Sequence, residues 1–229
     1  MKGELCMLKY VQASTQLQTF QYLKARMEFI PEQNKTYNQL YKGYLGERKF
    51  SAILDKRLTK NCIILFEFTL YNAPQHPSII LPTQINRFVQ RLNRISSNMD
   101  YRHRKLANQL ITSHITKSPY EKLPEYQFSE LNRGIFCKSC RSKMFELQPG
   151  KMHCQQCSYV ESIDSALLRN VLEFNFLFPE KVITTSVIQE WSGIQRTSRT
   201  IRRILKRYLG YEPNYRHSYF YLENRTIKL

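Results

Sequence analysis

The sequence predicts an α+β fold in which helical segments lie on both sides of a small cysteine-rich module. Apolar residues recur at helical spacing through much of the N-terminal half. Two Cys-x-x-Cys pairs follow past the middle of the chain, and a helix–helix–basic helix–hairpin pattern fills the C-terminal end. With 229 residues, 42% of them hydrophobic, the chain is long enough for two or three small packed domains.

The N-terminal part of the chain begins with two predicted helices. Leu17, Phe20 and other apolar residues give a loose apolar face that predicts a helix over residues 5–29, and Pro31 ends it. Tyrosines and leucines at similar spacing predict a second helix over residues 36–58.

An apolar segment separates these helices from a second helical pair. Residues 62–71 are apolar, β-branched and aromatic, which predicts a buried strand, and residues 72–77 contain two prolines and predict a loop. A short strand is expected at residues 79–81. Helices are then expected over residues 82–92 and, with a polar and basic composition, over residues 100–116.

The stretch over residues 117–133 has little periodicity and contains Pro119 and Pro124. Proline in a stretch without helical or strand periodicity is typical of a connection rather than of a regular element. We therefore predict that residues 117–133 form a linker that leads into the cysteine-rich module.

Four cysteines form two pairs with the spacing of metal ligands. Cys137 and Cys140 form one pair and Cys154 and Cys157 the other, with 13 residues between the pairs. Each pair is a tight turn that directs two sulfurs toward one point, and four sulfurs in a tetrahedron suit Zn²⁺. Because they leave no position for water, we expect a structural zinc ion in a ribbon over residues 134–164. Free or redox-active thiols are the alternative, and neighbouring His153 is a candidate replacement ligand.

The C-terminal segment, residues 165–229, has the plan of a winged helix-turn-helix. An amphipathic helix ends near Pro179, and Thr184 caps a short second helix. Thr197 with Ser198 caps a third helix, which Gly210 ends. Residues 211–223 then predict a hairpin, which corresponds to the wing.

The third helix carries a basic stripe at positions i, i+3, i+4, i+7 and i+8. The stripe consists of Arg199, Arg202, Arg203, Lys206 and Arg207. In a winged helix-turn-helix this helix enters the major groove of DNA, where arginines contact phosphates or guanine edges. The alternative is a solvated basic face on an ordinary three-helix core.

Composition favours a polyanionic partner. Lys and Arg number 35 against 18 Asp and Glu, which gives a formal net charge of +17 and a sequence pI near 9.7. Such an imbalance indicates nucleic acid first and an anionic membrane surface second, while a generally basic composition without such a partner is the remaining alternative.

The sequence also predicts where the protein is found. No run approaches the roughly 18 apolar residues that span a bilayer, and residues 1–10 lack the apolar region of a signal peptide. We expect a cytoplasmic, reducing location, where paired cysteines bind metal more often than they form disulfides.

Several stretches resemble one known family. They are residues 37–48 (YNQLYKGYLGER), 67–74 (EFTLYNAP), 81–85 (LPTQI), 122–126 (KLPEY) and 173–179 (EFNFLFP), together with the cysteine module. In these stretches the chain resembles the NERD (nuclease-related domain) family. That resemblance implies a restriction-endonuclease-like fold and a carboxylate cluster with a lysine that binds Mg²⁺ and cleaves DNA.

The chain departs from the family pattern at the catalytic centre. The family places a Gln-x-Asp segment and a Glu-x-Lys strand between its opening helix and the region of Glu67, whereas here residues 62–65 run almost directly into Glu67. The resemblance therefore implies a truncated domain over residues 1–116 that lacks the central catalytic segment. Of the polar site, only Glu47 is carried over.

Other residues offer a poor replacement for the missing site. Glu47-Arg48-Lys49 spells Glu-x-Lys, but positions two apart on a helix point about 200° away from each other. On a strand they would share one face, as metal chemistry requires. Asp55 and Glu67 are the other candidate carboxylates, and Mg²⁺ is expected only if such a set completes the site.

The sequence thus predicts a truncated nuclease-like domain (1–116), a linker (117–133), a zinc ribbon (134–164) and a winged-helix-like segment (165–229). The expected function is DNA binding without a complete nuclease site. The alternatives are a Mg²⁺-dependent endonuclease completed by other residues or by a second protomer, and a zinc-stabilised adaptor that binds an acidic protein.

Overall fold

The computed structural model describes residues 5–9, 11–59, 62–65, 82–95, 99–114, 121–214 and 218–222. The chain divides into two compact units, unit 1 (residues 1–18 and 30–123) and unit 2 (residues 19–29 and 124–229). In the described part of the chain, seven α-helices accompany seven short strands. The mixed α and β composition of the prediction is therefore confirmed.

Unit 1 is built from a two-stranded parallel sheet and long helices. Its elements are β1 (Leu5–Lys9), α2 (Pro31–Arg57), β2 (Cys62–Leu65), α3 (Ile85–Arg94) and α4 (Tyr101–Ser113), and α1 (Thr15–Lys24) crosses from unit 1 into unit 2. Strands β1 and β2 pair in parallel with Leu5 opposite Cys62. Leu54 of α2 and Leu58, the residue that follows α2, pack with Val89 of α3 in a small core.

The predicted helix over residues 5–29 is wrong at both ends, because α1 spans only Thr15–Lys24, and Pro31, expected to end it, instead begins α2. Residues 5–9 form strand β1, and α1 begins only at Thr15, where the Ser14 hydroxyl accepts a hydrogen bond of 3.2 Å from the Leu17 amide. The strand depends on pairing with β2, more than 50 residues later, which helical periodicity cannot reveal. Most of the predicted strand 62–71, the loop 72–77 and the strand 79–81 lie outside the described residues.

Unit 2 combines an antiparallel three-stranded sheet, three helices and a hairpin. In order these are β3 (Met144–Gln148), β4 (Lys151–Cys154), β5 (Val160–Ser162), α5 (Ile163–Leu177), α6 (Thr185–Ser192), α7 (Ser198–Tyr208), β6 (Gly210–Glu212) and β7 (Tyr219–Tyr221). A bridge between Ile183 and Phe220 adds the segment before α6 to the edge of the hairpin.

The cysteine module and the C-terminal helices share one hydrophobic core. Cys154 and Met152 of the three-stranded sheet belong to the same buried cluster as Val171 of α5 and Trp191 of α6. A three-stranded ribbon is too small to bury its own apolar face, and α5 supplies the second layer that it needs. The ribbon and the helical segment, which the sequence divides at residue 164, are thus packed as one body.

Threonine caps begin α6 and α7 as the sequence predicts. The Thr184 hydroxyl accepts a hydrogen bond from the Val187 amide at 3.2 Å, and the Thr197 hydroxyl accepts one from the Thr200 amide at 3.3 Å. Gly210 differs from its predicted role as the terminator of α7. It lies in strand β6, where a Cβ atom would come within 2.3 Å of the Tyr221 ring. Glycine is therefore needed here so that the Tyr221 ring can pack closely against the backbone of β6.

The C-terminal part of the predicted linker is packed into unit 2. Leu131 is buried, and the Phe128 ring stacks on the indole of Trp191 with ring centroids 5.6 Å apart. The Tyr126 hydroxyl donates a hydrogen bond of 3.0 Å to the Leu177 carbonyl. These anchors follow no regular spacing, which is why the sequence suggested a linker over 117–133; residues 115–120 lie outside the described part.

A buried arginine joins the short N-terminal piece of unit 2 to the rest. Arg26 is fully buried, and its Nε donates to Glu173 Oε1 of α5 at 2.7 Å. Its other nitrogens donate to the carbonyls of Asn132 at 2.8 Å and Gly134 at 3.1 Å. The guanidinium carbon lies 3.6 Å from the Trp191 ring centroid. Burial lowers the pKa of Arg26, and the Glu173 carboxylate opposes that shift.

Candidate metal centre and basic groove

The two Cys-x-x-Cys turns have the same backbone hydrogen-bond pattern. In the first turn Cys137 donates its amide hydrogen to the carbonyl of Ser142 at 2.8 Å and accepts one from Arg141 at 3.0 Å. In the second turn Cys154 donates to Tyr159 at 2.9 Å, and its carbonyl accepts from the residue after Cys157 at 2.9 Å. The chain therefore builds the same turn twice, which is what two matched pairs of ligands require.

The four sulfurs form one compact cluster. All four Sγ atoms lie within 4.8 Å of one another, with 3.6 Å between Cys137 and Cys157 and 3.3 Å between Cys140 and Cys154. Zinc–sulfur bonds of about 2.3 Å in a tetrahedron place sulfurs about 3.8 Å apart, which falls within this spread. The cluster can therefore hold a metal ion such as zinc.

Hydrogen bonds and neighbouring sulfurs move the thiol pKa values apart. The pKa of Cys140 falls to about 6, first because the hydroxyl and then the amide of Ser142 bond to its sulfur. The amide of Tyr159 also lowers the pKa of Cys157, but desolvation and bonds with the other three sulfurs outweigh it and raise that pKa to about 12. Four sulfurs this close become thiolates together only when a cation balances their charge.

His153 does not belong to the cluster. The group of potential ligands that the described residues bring together contains four cysteines and no histidine. His153 is paired across the sheet with Phe145 on one side and Val160 on the other, and so points to the face opposite Cys154. It is therefore a strand residue and does not replace a ligand.

The residue after each turn adopts a left-handed conformation. Arg141 has φ 64° and Ser158 has φ 58°, a region in which glycine is favoured. A non-glycine residue there costs roughly 1–3 kcal/mol.

We expect Ser158→Gly to change the free energy of unfolding by less than about 1 kcal/mol, because the strain that glycine relieves is offset by the added entropy of the unfolded chain. Ser158→Val adds branching at Cβ, and we expect it to destabilise the protein by more than about 1 kcal/mol. Denaturant unfolding of the zinc-loaded protein measures both, with Gln155→Val as the control. Equal effects of Val at 155 and 158 would contradict the prediction.

The exposed side of α7 lines a basic groove. The groove is open, about 670 Å³ in volume, and is lined by Thr185, Ser198, Arg199, Arg202, Arg203 and Lys206. None of these residues is acidic, and two of the lining hydroxyls stand at the first residues of α6 and α7. The positive ends of two helices thus add to four basic side chains.

Tyr211 of β6 holds two of the basic side chains. Arg202 Nη2 donates a hydrogen bond to the Tyr211 hydroxyl, and the Lys206 ammonium lies 4.0 Å from the centroid of its ring. The Ser218 hydroxyl and then Arg202 lower the pKa of Tyr211. The hairpin therefore positions two charged side chains of α7. The basic stripe in the sequence did not reveal this role of Tyr211, although an aromatic residue just after a basic helix could have suggested it.

Arg207 lies apart from the groove. Its Nη1 donates to Asp164 Oδ2 at the start of α5, at 2.7 Å. The structure thus brings four of the five predicted basic residues together and turns the fifth toward a carboxylate. Thr185 and Ser198 complete the groove, and no charge pattern pointed to Thr185.

An ion pair links the sheet of the metal module to the turn before α7. Arg196 Nε donates to Glu146 Oε2 of β3 at 3.0 Å, and Gly150 donates its amide to Glu146 Oε1 at 2.8 Å. The bond with Arg196 is the main reason why the pKa of Glu146 is lowered. The position of the α7 N-terminus is therefore coupled to the fold of the metal module.

Glu47 lies on the exposed surface of α2. In the described part of the chain it belongs to no group of three or more potential metal ligands. Asp55 is exposed on the same helix, two turns further on, and Glu67 lies outside the described residues. The described residues thus assemble no carboxylate cluster around Glu47.

Comparison with known proteins gives no relative: no family model, no curated protein and no solved structure matches this chain. Among the described residues, none of the helices is long and apolar enough to cross a bilayer.

Proposed function

We propose that unit 2 binds duplex DNA through the basic groove of α7. The observation that carries this proposal is the groove itself, where Arg199, Arg202, Arg203 and Lys206 converge and none of the described lining residues is acidic. Phosphates attract such a surface, and arginines also read guanine edges when a helix enters the major groove. The formal charge of +17 adds a long-range attraction to the same partner.

The order of elements around α7 supports a winged helix-turn-helix. Helices α5, α6 and α7 follow one another, and Gly193 in the left-handed conformation (φ 59°) ends α6 before the turn. The bridge from Ile183 to Phe220 joins the hairpin to the helical core. In this arrangement α7 is the recognition helix and strands β6 and β7 belong to the wing.

The cysteine cluster is assigned a structural zinc ion within this proposal. Four cysteine ligands leave no open position for a substrate or a water, which argues against a catalytic metal. Through Glu146 and Arg196 the metal module holds the turn that precedes α7. Its role is thus to keep the DNA-binding helix in place.

Replacing Arg202 and Arg203 by Ala should weaken duplex binding at least tenfold and reduce its salt dependence, because each lost phosphate contact makes the slope of log K against log salt less negative by about 0.9. Fluorescence anisotropy with a labelled duplex at several salt concentrations measures both quantities. Arg207→Ala is the matched control, since Arg207 is exposed on the same helix but paired with Asp164.

A double variant with the affinity and slope of the wild type would contradict the proposal. So would an Arg207→Ala variant that loses as much slope per residue as the double variant. Either result would favour a solvated basic face, or the adaptor function, in which α7 meets an acidic protein.

The relation to the NERD family remains a prediction that rests on the sequence stretches alone. With Glu47 exposed and outside any cluster of described ligands, no observation favours endonuclease activity by this chain over DNA binding. Cleavage completed by a second protomer likewise remains a prediction, and a plasmid-nicking assay with Mg²⁺ that compares wild type with Glu47→Ala tests it.

A further inference from the structure

The outer face of the three-stranded sheet is apolar and exposed. Phe145 is 44% exposed, Leu147 59% and Val160 43%. Contiguous exposed apolar patches are uncommon on soluble proteins and often mark binding sites. Met144 and Met152, on the opposite face, are buried in the core that contains Trp191. One face of the sheet is therefore packed against the core, and the opposite face is exposed.

The strand register arranges the outer face as a row of rings and branched chains. Phe145 of β3 is opposite His153 of β4, and His153 is opposite Val160 of β5. Lys151, exposed on the same side, is the next outward residue of β4 and is paired with Gln148, just after the irregularity in β3 at which the exposed Leu147 lies. The outer face thus presents the Phe145 ring and apolar side chains beside a lysine.

The charge of the module favours an anionic partner for this face. Residues 137–162 contain four Lys or Arg and two Glu. Both glutamates pair with arginines: Glu146 bonds to Arg196 at 3.0 Å, and Glu161 to Arg169 at 2.5 Å. Both glutamates are paired across the sheet with Met152, whose side chain faces the core, so the described strands place no carboxylate on the open face.

We propose that this face is a second binding site, which takes single-stranded DNA by stacking unpaired bases on the exposed ring of Phe145 while Lys151 meets the phosphate backbone. Proteins bind single strands without sequence preference through aromatic side chains beside positive charge, since every base has a stackable face. Paired bases present only their edges, so this site discriminates against duplex. It is separate from the basic groove of α7 and does not depend on the duplex proposal.

The test measures binding of the full zinc-loaded chain to a labelled oligothymidylate and to a duplex of equal length. Phe145→Ala should weaken single-strand binding about 5- to 140-fold, the range for loss of one base–aromatic stack, and leave duplex binding unchanged. Tyr101→Ala, which removes a highly exposed tyrosine of unit 1, is the matched control and should change neither. Zinc content per chain verifies that each variant is folded.

A second variant reports on stacking directly. Phe145→Trp should retain single-strand binding, and its fluorescence should be quenched by the oligonucleotide. The wild type should show no quenching, since its one tryptophan, Trp191, is fully buried. Arg202→Ala with Arg203→Ala should leave the quenching of the Phe145→Trp chain intact.

Three results would overturn the proposal. One is single-strand binding that Phe145→Ala leaves unchanged, and another is an equal loss in Tyr101→Ala. The third is a wild-type dimer, seen by light scattering, that Phe145→Ala dissociates without an effect on DNA, which would make the face a contact between two copies of the chain.

Discussion

Cys154→Ser is expected to abolish stoichiometric zinc binding and to unfold the core of unit 2. Cys154 is 2% exposed and combines two roles, since its sulfur belongs to the four-cysteine cluster and its strand packs on the core around Trp191. Apparent binding energies of structural zinc in small peptides are about 10–16 kcal/mol, as large as the entire stability of a typical domain. Loss of the ion therefore removes a term that the shared core does not replace.

Metal content and tryptophan fluorescence measure this effect. The wild type should carry one zinc per chain and show the blue-shifted emission of a buried indole, and both should be lost in Cys154→Ser or after chelation. Ser139→Ala is the control, because Ser139 contributes its amide, at 3.4 Å from the Cys137 sulfur, rather than its hydroxyl. A purified wild type that is folded but free of zinc would refute the metal assignment.

Arg26→Ala is expected to destabilise unit 2 by about 3–5 kcal/mol, the usual cost of breaking a buried ion pair. The substitution leaves Glu173 buried and without its cation, because Glu173 is only 3% exposed. It also removes the donors of the Asn132 and Gly134 carbonyls and the cation that lies over Trp191. Each of these losses lowers the free energy of unfolding.

A double substitution separates the effect of losing the ion pair from the effect of leaving Glu173 charged and unpaired. Arg26→Met with Glu173→Leu should recover part of the lost stability, since a matched apolar pair removes the stranded charge. Arg207→Ala is the control, because Arg207 pairs with Asp164 at 2.7 Å but is 56% exposed, and it should cost at most about 1 kcal/mol. Equal effects of the Arg26 and Arg207 substitutions would contradict the assigned role of burial.

The candidate sites were predicted from sequence to different degrees. The four members of the cysteine cluster could be predicted, because two Cys-x-x-Cys turns have the spacing of metal ligands, and the structure brings their sulfurs within 4.8 Å of one another. The groove could be predicted only in part. The helical period places the basic residues of α7 on one side of the helix. It does not reveal that Arg207 bonds to Asp164 instead, because Asp164 lies 43 residues earlier in the chain.

By itself, the sequence determined what depends on near neighbours. The threonine caps of α6 and α7, the amphipathic pattern of α7 and the two cysteine turns involve residues a few positions apart, where backbone geometry leaves few arrangements. The tertiary structure alone decided which distant groups meet. Arg26 looks in sequence like an exposed charge at a helix end, and it is buried only because Glu173, 147 residues away, offsets its desolvation. Which face of the three-stranded sheet stays open was likewise decided by packing. Strand alternation gives the sheet two faces, and the position of α5 determines which of them is covered.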